Sequence, residues 1–73
     1  ARIHPEDRDT VARAFERAMQ SDSDGAYRAE YRVATGDGGW RWLAAVGQVF
    51  FDGERPVRMV GTAVDITEQK RLE

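Results

Sequence analysis

Seventy-three residues, 41% hydrophobic and 33% charged with a net charge of −2, make one small domain and leave no room for a second. The absence of cysteine excludes disulfide staples, thiolate catalysis, cysteine zinc sites, iron–sulfur clusters and a cysteinyl-flavin adduct. Eleven basic and 13 acidic side chains are spread along the chain rather than blocked, so there is no basic footprint for nucleic acid, and no apolar run nears the ~20 residues that a membrane-spanning helix takes.

So short a chain folds with little margin, because an ordering cost of about 1.5 kcal/mol per residue nearly cancels its burial. A partner is therefore expected. The first residue, Ala1, is not a Met, as expected of a fragment or of a processed chain.

Pro5 suits a first helical turn, Glu6 and Asp7 suit the positive end of the helix dipole, and Val11, Ala14, Phe15, Ala18 and Met19 recur at intervals of three and four. This pattern predicts an amphipathic helix over residues 5–20. It stops in Ser21, Asp22, Ser23, Asp24 and Gly25, which bond their own backbone and supply a left-handed position. Over residues 26–34 the period becomes two, with Tyr27, Ala29, Tyr31 and Val33 on one side and Arg28, Glu30 and Arg32 on a wet face. A glycine-rich turn at 35–39 leads to a strand over 40–51 that is apolar on both faces. A second turn at 52–56 leads to a strand over 57–66. The fold class is α+β, one amphipathic helix followed by a three-stranded antiparallel meander.

Strand alternation sends odd residues to one face and even residues to the other. With Val33 near Leu43 and Val49 near Met59, the odd face carries Tyr27, Ala29, Tyr31, Val33, Leu43, Ala45, Gly47, Val49, Phe51, Val57, Met59, Gly61 and Ala63. Its middle is small, ringed by larger side chains, and forms a concave floor under the helix. Either a small-molecule ligand touching Tyr31, Val33, Leu43, Ala45, Gly47, Met59, Gly61 and Ala63, or side chains from elsewhere in the fold, would fill it. The even face carries Trp42, Val46, Phe50, Val60, Val64 and Ile66, an apolar patch expected to be a dimer interface or to be covered by another part of the same fold.

In this register Arg41 and Asp65 share the odd face one diagonal step apart, within reach of an ion pair. Thr67 to Glu73 are good helix formers, with Asp65 and Glu68 spaced as a capping box and Thr67 as a rival cap. Catalytic groups are not found. His4, the only histidine, heads the helix as a cap and turn residue, and Glu6, Asp7 and Asp9 form a solvated first turn. Asp22 and Asp24 lack the downstream Glu of a calcium loop, and Gly36, Gly38 and Gly39 lack the lysine of a phosphate loop. No metal site is expected.

The run His4-Pro5-Glu6-Asp7-Arg8, then Glu30-Tyr31-Arg32, Asp37-Gly38 leading to Arg41-Trp42, Asp52-Gly53, Gly61 and Asp65-Ile66-Thr67-Glu68 resembles the C-terminal (PAC) half of a PAS domain over essentially the whole chain. The resemblance implies a sheet of five strands in spatial order 2-1-5-4-3, of which this chain holds the last three. Residues 1–66 would be the C-terminal part of the domain and 67–73 the start of an exiting linker helix. It further implies a sensor module of a bacterial signalling protein, of sensor histidine kinase or diguanylate cyclase type, in the cytoplasm even where the receptor is membrane-anchored. A ligand or partner would be sensed, and the signal would pass through Arg41, Asp65, Thr67 and Glu68 to a C-terminal effector domain. Haem, flavin, small carboxylates and no ligand at all all occur in such modules, so the cofactor is unknown. The strand over 57–66 would be an open edge where the family's first strand pairs, and a homodimer would cover it. The alternative reading is a homodimerisation module that binds no ligand.

Overall fold

A computed structural model describes residues 2–72. A 3-10 turn Pro5–Asp7 runs into α1 (Arg8–Ala18), followed by β1 (Ala26–Ala34), β2 (Trp40–Asp52), β3 (Arg55–Asp65) and the short α2 (Thr67–Arg71). The expected α+β order of helix then three-stranded antiparallel sheet is present, with strand order β1-β2-β3.

The predicted helix over 5–20 is shorter than its apolar spacing suggested. At its start the His4 imidazole accepts a hydrogen bond from the Glu6 N–H at 3.1 Å, the capping role expected of it, and the first turn is tightened to 3-10. At its end the Ser23 hydroxyl donates to the carbonyls of Gln20 at 2.7 Å and Ala18 at 3.3 Å. Those bonds satisfy carbonyls that a longer helix would have used.

Tyr31 pairs with Leu43, Val33 with Arg41, Gly47 with Gly61 and Val49 with Met59. The expected neighbour of Val33, Leu43, is therefore two residues off, because the 35–39 turn closes more tightly than assumed. A shift of two preserves parity, so both faces keep the residues assigned to them. A bulge after Phe50 does break parity: Phe50 pairs with Arg58 but Phe51 with Pro56, so Val57 is an extra residue and the Phe51–Val57 alignment is lost. Pro56 has no N–H for the ladder, which is why the irregularity falls beside it.

Residues 2–4 add an element that the sequence reading did not contain. Ile3 bridges Val33, His4 N–H donates to the Arg32 carbonyl at 2.8 Å and Ala34 N–H donates to the Arg2 carbonyl at 2.9 Å, which covers one end of the outer edge of β1. Among the described residues none covers the edge of β3 in this way, and every residue of that strand is exposed.

α1 lies against β1, with Phe15 edge-on to Tyr27 at 6.4 Å between ring centroids. The buried apolar residues are Ala18 on the helix and Ala29, Ala45 and Val49 on the odd face, so the core is thin and built of small side chains. It sits under the helix at the β1–β2 side, and the sheet extends beyond it as a slab in a molecule of 43 × 21 × 18 Å.

Candidate functional site

Three regions hold the residues singled out from the sequence. On the odd face Ala45 is buried, and Tyr31, Val33, Leu43 and Gly47 are half-buried, whereas Met59, Gly61 and Ala63 on β3 are exposed. The floor is thus roofed toward β1 and open toward β3. Met59 borders a groove of about 200 Å³ with Phe15, Met19, Val49 and Val57 where α1 ends.

On the even face Val46, Phe50, Val60 and Val64 are 44%, 49%, 47% and 58% exposed. An open groove of about 510 Å³ runs among Val46, Phe50, Val60, Arg58, Gln48 and Thr62, with the backbones of Gly47 and Gly61 at its base. The glycines admit this close strand approach: a Cβ on Gly61 would stand 2.8 Å from the Val46 carbonyl oxygen. Trp42 and Ile66, assigned to the same patch, are half-buried. The Arg32 guanidinium lies 5.0 Å and the Lys70 ammonium 4.7 Å from the Trp42 ring centroid, so the indole is engaged by two cations and the bare patch begins at Val46.

The third region is the exit of β3. Arg41 donates from Nε to Asp65 Oδ2, across the diagonal expected from the register. Asp65 Oδ1 accepts the Thr67 N–H at 2.8 Å, the buried Thr67 hydroxyl accepts the Trp42 N–H at 3.0 Å, and Ile66 N–H donates to the Trp42 carbonyl at 2.9 Å. One carboxylate therefore joins β2, the end of β3 and the first turn of α2. The Arg41 guanidinium, with further bonds from Thr67, holds the Asp65 carboxyl well below the usual carboxylate range. The expected Asp65–Glu68 capping box is not formed: Ile66 is the N-cap residue, and Glu68 faces Arg71 at 3.4 Å.

A fourth cluster was missed in the sequence. Asp7 takes Arg32 as a fork, Oδ2 from Nε at 2.9 Å and Oδ1 from a terminal nitrogen at 2.8 Å, and also accepts the Arg32 backbone N–H at 2.8 Å. The Arg32 side-chain bonds hold the Asp7 carboxyl down to about 2 against the opposing effect of burial. On β1, Glu30 pairs with Lys70 at 2.9 Å. No signal in the sequence pointed to this cluster: the register expected from Val33 and Leu43 sets Arg32 opposite Ala44, whereas the sheet sets it opposite Trp42, where it forms a cross-strand cation–aromatic pair. Among the described residues no group of three or more potential metal ligands gathers, and no helix is long and apolar enough to cross a membrane.

Against known proteins, the profile described as the PAS fold matches residues 1–63. The chain is 38% identical over 72 residues to an uncharacterised protein, y4lL, of Sinorhizobium fredii, and 33% identical over 69 residues to the two-component sensor PprA of Pseudomonas aeruginosa. These alignments take in 97% and 93% of this chain but only 8% and 7% of those much longer relatives. Among solved structures, a sensory box histidine kinase/response regulator from Burkholderia thailandensis superposes with a TM-score of 0.82 at 40% identity, over 96% of this chain and 53% of that one.

Proposed function

The chain belongs to the PAS family of sensory, non-catalytic modules, and from that premise we propose that it is the transmitting half of a sensor in a longer signalling protein. A ligand or partner contacting the odd face favours one sheet geometry over another, and the shift is read where β3 becomes α2. The effector is of histidine kinase type, the reading supported by the names of the two-component sensor and of the sensory box kinase. The observation that carries the proposal is the carboxylate of Asp65, bonded at once to Arg41 on β2 and to the first N–H of α2. A displacement of β2 against β3 pulls on that helix start, because both bonds end on one short side chain. A ligand drives such a displacement only by its differential affinity for the two geometries.

The test is made in the full-length protein. Asp65→Asn and Thr67→Val are expected to leave the sheet intact, as judged by circular dichroism, and to change basal autophosphorylation several-fold. An output indistinguishable from that of the parent would overturn the reading. A second reading, a homodimerisation module that binds no ligand, draws on the exposed Val46, Phe50, Val60 and Val64 and stands as the alternative to sensing.

A further inference from the structure

We propose that Trp42 is a positioning residue that couples the first turn of α1 to the exit helix α2 through the two cations seated on its indole. Its backbone already fixes the junction, donating to the Thr67 hydroxyl at 3.0 Å and accepting from the Ile66 N–H at 2.9 Å. Its side chain meets Arg32 and Lys70, each tied to a different place in the fold. Arg32 is held as a fork by Asp7, the residue that leads into α1, and this ion pair is well shielded, with 24% and 13% of the two side chains exposed. Lys70 is one turn into α2 and pairs with Glu30 on β1. The indole is thus the shared neighbour of a cation fixed from the entry helix and a cation fixed to the exit helix.

The physical reason for coupling is that each cation sets the position of the ring for the other. A ring gripped by a rigid guanidinium presents its negative face to Lys70 in one orientation. Released from Asp7, the guanidinium keeps the longer contact to the exposed Glu6 carboxylate at 3.4 Å but loses the rigid fork, and the ring loses the fixed neighbour that oriented it. α2 has five residues and cannot persist on its own propensity, so its order follows the contacts that hold it. Those contacts include the Thr67 bonds to Trp42 and Asp65, the Lys70–Glu30 pair and the indole. Coupling of this kind is reciprocal: whatever moves α2 is felt at the first turn of α1. The entry turn joined in this way lies off the route from the odd face, although α2 is where both end, and the coupling stands independently of what α2 transmits.

Amide hydrogen exchange in the 73-residue chain tests the inference, with the Lys70 N–H, bonded to the Ile66 carbonyl at 3.1 Å, as the reporter. The reference is the Val49 N–H, bonded to the Gly25 carbonyl at 2.8 Å, in the core. Asp7→Asn is expected to lower protection at Lys70 about threefold or more relative to Val49. In a Trp42→Leu background, the same substitution is expected to change that ratio no further. Arg32→Lys, which keeps the charge and loses the fork, serves if Asp7→Asn does not fold, and is expected to act in the same direction. An unchanged Lys70 ratio, an equal loss at Val49, or an effect of Asp7→Asn that persists in full without the indole would each overturn the coupling. Because the readout is exchange and not kinase output, it fails or succeeds separately from the signalling proposal.

Discussion

Two single residues show how the sheet tolerates or forbids change. Gly25 sits at φ +78°, and a Cβ there would lie 2.4 Å from the carbonyl oxygen of Val49, whose N–H bonds to the Gly25 carbonyl at 2.8 Å. Gly25→Ala combines a left-handed backbone with a clash against a core strand, and its cost should exceed about 1 kcal/mol. Gly36, with open space around its position and no such φ, is the control: Gly36→Ala should stay within about 0.5 kcal/mol. Urea midpoints of the two variants check the contrast, and equal effects would contradict it. Asp7 gives a prediction in pH. Its carboxyl is lowered from 3.8 to about 2 in the folded chain, chiefly by the Arg32 side chain. The folded state therefore binds that proton less readily than the unfolded state, and the contribution is fully present above 3.8 and lost as the pH falls through about 2. Urea titrations over that range should show a steeper loss of stability for the parent than for Asp7→Asn, and parallel curves would remove Asp7 as the source.

At the scale of elements, the period of the sequence carried most of the fold. Alternation over Tyr27, Ala29, Tyr31 and Val33 identified β1, and the parity argument survived a register error because the slip was by two. The Arg41–Asp65 pair followed from that parity and is present. What alternation cannot encode is an added partner or an added residue. The bulge at Phe50 depends on where a proline falls in the opposite strand, and the pairing of residues 2–4 with β1 depends on a tertiary edge with no periodic signature. Asp7 illustrates the same limit. As a first-turn carboxylate it satisfies the helix dipole in any fold, so nothing local announced that its partner would be Arg32, 25 residues away. The two faces were legible from alternation, but of the bonds at the junction only Arg41–Asp65 was; those of Thr67 to Trp42 and Asp65 were not, and the expected capping box is not formed. Nor was the engagement of Trp42 by two cations legible, since it needed α2 to be placed before Lys70 had a location.

For the molecule as a whole, the decisive quantity is the apolar surface left open. The buried set is Ala18, Ala29, Ala45 and Val49, three of them alanines, while Val46, Phe50, Val60 and Val64 stand exposed on the opposite face. Apolar surface is worth about 25 cal/mol per Å² removed from water, so a core of alanines stabilises far less than the same number of larger side chains would. Covering the even face would add burial where the fold lacks it, and a second copy supplies an identical apolar face with a two-fold arrangement that closes on itself. Sedimentation equilibrium of the chain is therefore expected to show an average mass rising with concentration from 8.2 kDa toward twice that value. Val60→Lys, on the exposed even face and away from the core, is expected to hold the mass at 8.2 kDa while leaving the circular dichroism of the sheet unchanged. Met59→Lys, on the odd face, should leave association intact. If the parent chain stays at 8.2 kDa at every concentration and remains folded, self-association is not what covers the even face, and the cover must come from a different chain or from further sequence of the same protein.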